Sequence, residues 1–551
     1  MRRMQIFMPF ALLMLVLAAT TTVAQTFSVL YNFGTNSGNP VSPQAPSVIA
    51  QGRDGNLYST SSIGGADQYG TAFGITPGGT LTVLYNFDIT HGNYPLSGLT
   101  LGVDGSFYGT AQAGGNSPNG VIFTITASGG LTVLYNFTGG ADGYHPTPPP
   151  VQGTDGNFYG TTFYGGAGYG TIYKITPSGT FTTLHQFTGS DGANTFAPLI
   201  QGTDGDLYGA SAGDGISGLG TIFKITPTGT FTLLHKFDGT HGSIPAGPLV
   251  QGTDGSFYGT AAAGGTFSAG VVFKMFPGGV LKVLHHLNGT SDGRTPLAGL
   301  VLASDGYLYG TASSGGTFGH GTIYKISSKA AFSVLHNFDG TAGANPQTTL
   351  FQHTNGILYG NTCSGGTGTH GSCPDGRGDP GPGVFYSLNV GLGPFVSFLN
   401  QQSSGKVGAS IGISGQGFSG TTGVSFGGTP ATFTVSADTY LTATVPAGAL
   451  TGSIAVTTPS ATQTSNQTFR VTPQVKSFSP SSGPVGTPVT ITGLSLTQTS
   501  SVKFGTKSAS FTANSDTQVT AIVPTGARTG IITITTPGGI ATSATKFTVT
   551  P

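Results

Sequence analysis

A motif of the form Asp-Gly-x-Leu/Phe-Tyr returns along this chain at almost constant spacing, and it constrains the fold more than any other feature. It begins at Asp54, Asp104, Asp155, Asp204, Asp254 and Asp305, with a seventh copy opening at Asn355, in steps of 50, 51, 49, 50, 51 and 50 residues. A period near 50 belongs to propellers and solenoids, whose repeats are supersecondary units that cannot bury their apolar surface alone. One unit reads in full from 198 to 237. Pro198-Leu199-Ile200-Gln201 and Leu207-Tyr208-Gly209 flank the turn Asp204-Gly205 as a two-strand hairpin. A Gly-bearing loop leads to a third strand, Gly220-Thr221-Ile222-Phe223-Lys224-Ile225, and Pro227-Thr228-Gly229 turns the chain into a fourth, 230–237.

Four antiparallel strands repeated seven times predict a seven-bladed β-propeller. The ends favour a closed ring. Phe27-Ser28-Val29-Leu30-Tyr31-Asn32-Phe33 matches the fourth-strand pattern before any complete hairpin has begun, while the seventh unit reaches its third strand at Val384-Phe385-Tyr386-Ser387-Leu388 and then stops repeating. The orphan strand would complete the last blade and remove two open sheet edges. An open β-solenoid is the alternative, and it needs no such complementary ends.

Composition narrows the function. Of 551 residues only 7% are charged, 19 basic against 19 acidic, and every acid is Asp. Such a chain has no electrostatic footprint for nucleic acid or an anionic membrane. Trp is absent, so any aromatic platform must be Tyr or Phe. Arg2 and Arg3, the apolar run 6–19 and Thr22-Val23-Ala24 before Gln25 read as a secretory signal cleaved between Ala24 and Gln25. An uncleaved anchor helix is the weaker reading, because the run is short and contains Pro9. The mature chain is expected to have no membrane span.

Most repeated residues have structural duties. The adjacent aromatic and apolar positions of the motif, such as Phe158 and Tyr159, point to opposite faces of a strand, and both faces of a blade are covered by neighbours. The Asp-Gly turns read as turn chemistry, since Ca²⁺ needs six to eight converging oxygens. His185, His235, His285 and His336 occupy the fourth-strand position held by Tyr31, Tyr85 and Tyr135 elsewhere, which marks a half-buried aromatic seat with a polar tip. Lys174, Lys224, Lys274 and Lys325 repeat on third strands, either as a partial basic arc or as a solvent-facing edge. Cys363 and Cys373 share one Gly-rich loop. In an exported chain they read as a disulfide, with a metal pair using His370 as the weaker alternative. The same loop carries Asp375, Arg377 and Asp379, and it is the most individual surface feature, hence the candidate binding loop.

After Gly393 the period changes. Pro394-Phe395-Val396-Ser397-Phe398 has its counterpart over 473–478, beginning at an offset of 79, and Pro446, Gly452, Pro459 and Phe469 return at an offset of 78 as Pro524, Gly530, Pro537 and Phe547. Two copies of one domain with about seven short strands each fit an Ig-like sandwich. The copies resemble IPT/TIG domains, on the strength of Ser479-Pro480-Ser481-Ser482-Gly483-Pro484-Val485-Gly486, Val489-Thr490-Ile491-Thr492-Gly493 and Val502-Lys503-Phe504-Gly505. The first copy departs at Asn400-Gln401-Gln402. Residues 26–390 resemble the GloVer-type choice-of-anchor tandem repeats of exported bacterial proteins, through the Asp-Gly motif, the paired glycines and runs such as Gly-Thr-Ile-Phe-Lys-Ile-Thr. That resemblance implies export and a surface or extracellular setting, and it transfers no activity to particular residues.

The expectation is therefore an all-β chain: a signal over 1–24, a seven-bladed β-propeller over 25–393, and two IPT/TIG sandwiches over 394–472 and 473–551. It is expected to be a monomer with no cofactor and no metal. Its expected role is an exported, non-enzymatic binding or scaffold protein, with a propeller face for carbohydrate or another surface protein and the sandwiches as stalk or docking module. The rival is an extracellular polysaccharide hydrolase or lyase. A glycosidase needs two carboxyl groups, and here the aspartates that break the repeat are the candidates: Asp67, Asp206, Asp214, Asp375 and Asp379. A purely structural envelope protein is the third reading.

Overall fold

The computed structural model describes residues 25–41, 43–44, 48–213, 218–370, 373, 380–398 and 403–551. The signal segment with Ala24, and Asp214, Asp375, Arg377 and Asp379, lie outside the described residues.

Within the repeats, each unit becomes one antiparallel four-stranded sheet, and seven such sheets are present among the described residues. Blades are numbered here by their Asp-Gly motif. Blade 4 is Ile200–Gln201, Leu207–Ser211, Thr221–Ile225 and Phe231–Lys236. Its first strand is shorter than the sequence pattern suggested, two residues as in every other blade. Blade 7 is Phe351–Gln352, Leu358–Asn361 and Val384–Asn389, completed by the N-terminal strand Thr26–Asn32 in a register that pairs Phe27 with Leu388 and Ser28 with Ser387.

Two sets of side chains tie blade to blade, and both run through the junctions that close the ring. On the first strands, a Gln side-chain oxygen accepts a backbone N–H from the preceding blade: Gln152 from Val103, Gln201 from Thr154, Gln251 from Thr203 and Gln352 from Ser304, each at 2.9 Å. Gln51 of blade 1 accepts the N–H of Thr354 of blade 7 at 3.1 Å in the same way. On the fourth strands, the recurring Tyr or His stacks on an aromatic ring of the next blade at four junctions, where the next blade's fourth strand carries Phe at or beside its first residue. The pairs are Tyr135 on Phe181 (4.1 Å between ring centroids), His185 on Phe231 (4.0 Å), His285 on Phe332 (3.8 Å) and His336 on Phe27 (3.7 Å). The last of these joins blade 6 to the N-terminal strand.

The motif itself now has a full account. The Tyr hydroxyl donates to the carboxylate four residues earlier in six blades: Tyr58 to Asp54, Tyr108 to Asp104, Tyr159 to Asp155, Tyr208 to Asp204, Tyr258 to Asp254 and Tyr309 to Asp305, at 2.6–2.9 Å. The other carboxylate oxygen accepts the backbone N–H two residues on, as from Asn157 to Asp155. The turn is thereby locked to the strand that follows it. In blade 7 Asn355 replaces Asp, and its amide donates to Tyr359 at 3.1 Å. Phe158 and Tyr159 are both fully buried. Tyr rings pack on the motif Phe of the next blade, Tyr108 on Phe158 at 3.8 Å and Tyr208 on Phe257 at 4.0 Å.

Residues after 394 form two sandwiches, the first of two four-stranded sheets with a short two-stranded parallel pair and the second of a four-stranded and a five-stranded sheet, with cores around Ile413, Phe426 and Phe469 in the first and Ile491, Phe504 and Phe547 in the second. The described chain has no helix long and apolar enough to cross a membrane.

Candidate functional site

Each blade has two ends. One carries the Asp-Gly turns between first and second strands and the turns between third and fourth strands. The other carries the Gly-rich loops between second and third strands, together with the loops that run from each fourth strand to the next blade.

The first sandwich sits on the Asp-Gly end. Thr439 donates to the carbonyl of Arg53 at 2.7 Å, and the Arg53 guanidinium lies 4.7 Å over the Tyr440 ring. In blade 7, Thr354 accepts a hydrogen bond from Gln416 (2.7 Å) and donates to the carbonyl of Gly415 (3.2 Å), while its own carbonyl accepts the Phe395 N–H. In blade 4 the carbonyl of Thr203 accepts from Arg470 at 3.0 Å. Contacts to blades 1, 7 and 4 span the ring, so the sandwich covers the central channel at this end. Beneath it remains a cavity of about 330 Å³ lined by Leu101, Leu302, Phe351, Phe395 and Gln467 among others.

Among the described residues no sandwich contact reaches the loop end, and its backbone is built to one plan. Before each new blade a residue adopts the left-handed region: Tyr94, His145, Asn194, Ile244, Thr295 and Asn345, with φ between 53° and 63°. Such a conformation costs of order 1 kcal/mol or more for a side chain other than Gly and persists only where the surroundings enforce it. The enforcement is visible. Each of the six donates its N–H to a loop carbonyl of the blade it leaves, at 2.8–3.2 Å, and accepts with its carbonyl an N–H of the blade it enters, at 2.9–3.3 Å. The residue just before it forms a two-residue bridge with the loop of the new blade, giving the pairs Asn93–Ala113, Tyr144–Tyr164, Ala193–Gly213, Ser243–Ala263, Arg294–Ser314 and Ala344–Ser364. The backbone is thus spent on joining blades, and the side chains at these positions are free to differ. They do differ, in size, charge and aromaticity.

Aspartates hold these loops in two ways. Asp142, Asp191 and Asp292 cap their own loop and take the tip of the fourth-strand aromatic, from Tyr135 at 3.0 Å, His185 at 3.0 Å and His285 at 2.8 Å. Asp88, Asp238 and Asp339 stand directly after the Phe that ends the strand and accept the N–H three residues on, from His91, His241 and Ala342. His235 and His336 are then left without a partner for Nε2, and burial pushes His336 down to about 4. His91 and His241, whose Nδ1 atoms lie 2.9 and 2.7 Å from Asp88 and Asp238, were passed over by the sequence reading. Their signal was an Asp three residues earlier.

The remaining sequence candidates fall as follows. Cys363 and Cys373 are joined as a disulfide. Asp206 belongs to the Asp-Gly end and is paired with Lys224 at 2.7 Å, whereas Asp67 is exposed in the open-end loop of blade 1. These two irregular aspartates are therefore not brought together. Three of the four recurring lysines are answered within their own blades rather than joined into an arc: Lys224 by Asp206, Lys274 by Asp254 at 2.6 Å, and Lys325 by the Tyr307 ring at 4.8 Å.

The profile of the Gloeobacter/Verrucomicrobia repeat matches residues 16–167, 131–303 and 250–373, and that of the IPT/TIG domain matches 394–471 and 473–549. No curated protein matches the chain. Among solved structures it is similar to a fungal alcohol oxidase in complex with copper, at 15% identity and a TM-score of 0.44 over 95% of this chain and 99% of that one. It is similar also to the periplasmic gluconolactonase of Pseudomonas aeruginosa, at 14% identity and a TM-score of 0.38 over 60% of this chain and 99% of that one. A surface glycan-binding protein from Prevotella bryantii matches at 22% identity with a TM-score of 0.22, over 26% of this chain and 38% of that one.

Proposed function

This chain belongs to the Gloeobacter/Verrucomicrobia repeat family and carries two IPT/TIG domains, and on that footing we propose that it is an exported, non-enzymatic binding protein. Its ligand meets the open loop end of the propeller, and the IPT/TIG pair serves as lid for the other end and as stalk. The observation that carries this reading is the asymmetry of the two ends. The first sandwich occupies the Asp-Gly end at blades 1, 4 and 7, whereas the loop end presents one backbone plan with unlike side chains. A rigid scaffold with variable loop positions is the usual seat of recognition. The Cys363–Cys373 disulfide supports an oxidising compartment, in keeping with the signal read at residues 1–24. The loop carrying Asp375, Arg377 and Asp379 belongs by its place in the repeat to this same end, and it is proposed as part of the binding surface. The ligand is a carbohydrate or another surface protein.

The test is to incubate residues 25–551 with a panel of insoluble polysaccharides, reading co-sedimentation and released reducing ends in the same tubes. Sedimentation without released ends is the expected result. Released ends overturn the non-enzymatic reading and turn attention to Asp67 and the other irregular aspartates. Absence of both overturns the carbohydrate version and leaves a protein ligand.

A further inference from the structure

The open end offers six described junctions with the same backbone, so their side chains can be compared directly. Four bridges pair small or uncharged polar residues, and Arg294–Ser314 carries a charge. Tyr144–Tyr164 alone among them pairs two aromatic rings. Tyr144 and Tyr164 exchange backbone hydrogen bonds at 2.9 and 3.2 Å, and their rings lie 5.3 Å apart at 29°. The two strands can approach because Gly143 and Gly165 precede and follow the pair. A methyl group on Gly165 would fall 2.4 Å from the Gly143 Cα.

Other aromatics buttress the pair. Phe163 stands edge-on to Tyr164 at 4.5 Å, Phe196 packs on Phe163 at 4.6 Å, and His145 lies 5.0 Å from Tyr144. Tyr164 remains 38% exposed, with Tyr144 and His145 half-buried. The patch also carries no cation. Burial holds His145 below its ordinary value, so it is uncharged at neutral pH. The nearby Asp142 carboxylate is buried and already accepts from Thr138, Gly140 and Tyr135. Partly exposed rings with phenol hydroxyls, and no cation among them, suit a ligand with apolar C–H faces and many neutral hydroxyls. Nucleic acid or a polyanion would call for cations here.

We infer that Tyr144 and Tyr164, supported by Phe163, Phe196 and His145, form a stacking platform for the pyranose rings of a neutral polysaccharide. This rests on the reading of the loop end as the ligand surface and names its substrate class and principal contacts.

The experiment is affinity electrophoresis of residues 25–551 in gels containing hydroxyethylcellulose, xyloglucan, galactomannan or laminarin, with polygalacturonate as the anionic arm. The variants are Tyr164→Ala and Tyr144→Ala. Phe276→Ala, an exposed aromatic in the turn between third and fourth strands of blade 5 and so at the Asp-Gly end, is the control, and calorimetry checks folding of each. At least one neutral polysaccharide is expected to retard the parent chain. Tyr164→Ala and Tyr144→Ala should each weaken that binding about tenfold or more, as for loss of a central aromatic anchor, with Phe276→Ala within about twofold. Retardation by polygalacturonate alone, or by none of the polymers, overturns the platform.

Retardation by a neutral polymer that both tyrosine variants retain also overturns it. In that case hydrogen exchange on the bound protein separates the two failures. Protection elsewhere on the open-end loops leaves the loop-end reading standing, and protection confined to the sandwiches removes that reading too.

Discussion

Replacing Tyr159 by Phe removes one hydroxyl and nothing else from the recurring motif, and its cost can be set against the same change in the blade where the motif is altered. Tyr159 is fully buried, and its hydroxyl donates to Asp155 at 2.6 Å. A hydrogen bond to a charged group contributes about 1.5–3 kcal/mol net. Asp155 is exposed and keeps the Asn157 amide at 2.8 Å, so water replaces the lost donor and the cost falls in the lower part of that range, about 1.5–2 kcal/mol. In blade 7 the partner of Tyr359 is the neutral Asn355 at 3.1 Å, and Tyr359→Phe should cost about 0.5–1 kcal/mol. For a repeat region of this size about 1 kcal/mol moves the melting temperature by roughly 1.3 °C. Differential scanning calorimetry at pH 7 should therefore show a fall of about 2–3 °C for Tyr159→Phe and about 1 °C for Tyr359→Phe.

The pH dependence carries the same reasoning further. Burial alone would raise the Asp155 carboxyl, but the donors from Tyr159, Asn157 and the backbone outweigh it and hold it below its ordinary value. A carboxyl so lowered stabilises the fold above its unfolded value, about 3.9, and that stability is lost as pH falls through the folded value. The gap between Tyr159→Phe and its parent should then narrow below about pH 4. Equal shifts for the two Tyr variants, or a gap that widens in acid, would refute the argument that the charge on Asp155 makes the difference.

Two further outcomes are expected. His336 is held neutral to about 4 by burial, while its unfolded value is about 6.5, so the unfolded chain binds its proton first and stability falls as pH drops from about 6.5 towards 4. His336→Phe should flatten that part of the melting curve against pH, and an unchanged slope would count against the assignment. The Cys363–Cys373 bridge closes a loop of sequence separation 10, for which chain entropy sets a ceiling of about 3 kcal/mol. Cys363→Ser with Cys373→Ser should lower the melting temperature by no more than about 4 °C, and added reductant should then change nothing further.

Much of the architecture can be read from sequence because the repeat writes its turn chemistry into each copy. Asp155-Gly156 announces a hairpin, and the orphan strand at Phe27 matches the strand that the seventh unit lacks. The Tyr hydroxyl bond was not legible, since spacing alone does not say that residue four positions on from the Asp turns back to it. The junctions of the open end were harder still. Tyr94, His145, Asn194, Ile244, Thr295 and Asn345 share a backbone conformation and no side-chain chemistry, so nothing in their identity signals the common role. Only the proline that follows most of them does. Lys224 and Lys274 left a basic arc open beside a solvent-facing edge because periodicity cannot show that Asp206 and Asp254 answer them locally. The placement of the first sandwich over blades 1, 4 and 7 depends on scattered single residues, Arg53, Thr203 and Thr354, and lies beyond any local pattern.

The account depends on a closed ring, because only then does covering one end leave the other as the ligand surface. Ser28 and Ser387 face each other across the strands that close blade 7, a separation a disulfide can span. Replacing both with Cys and oxidising the folded protein under air should give a mass two hydrogens lower and no alkylation at either position. Recovery of both new thiols free and fully alkylated, in a protein whose Cys363–Cys373 bridge has formed, would contradict ring closure and with it the assignment of the binding face.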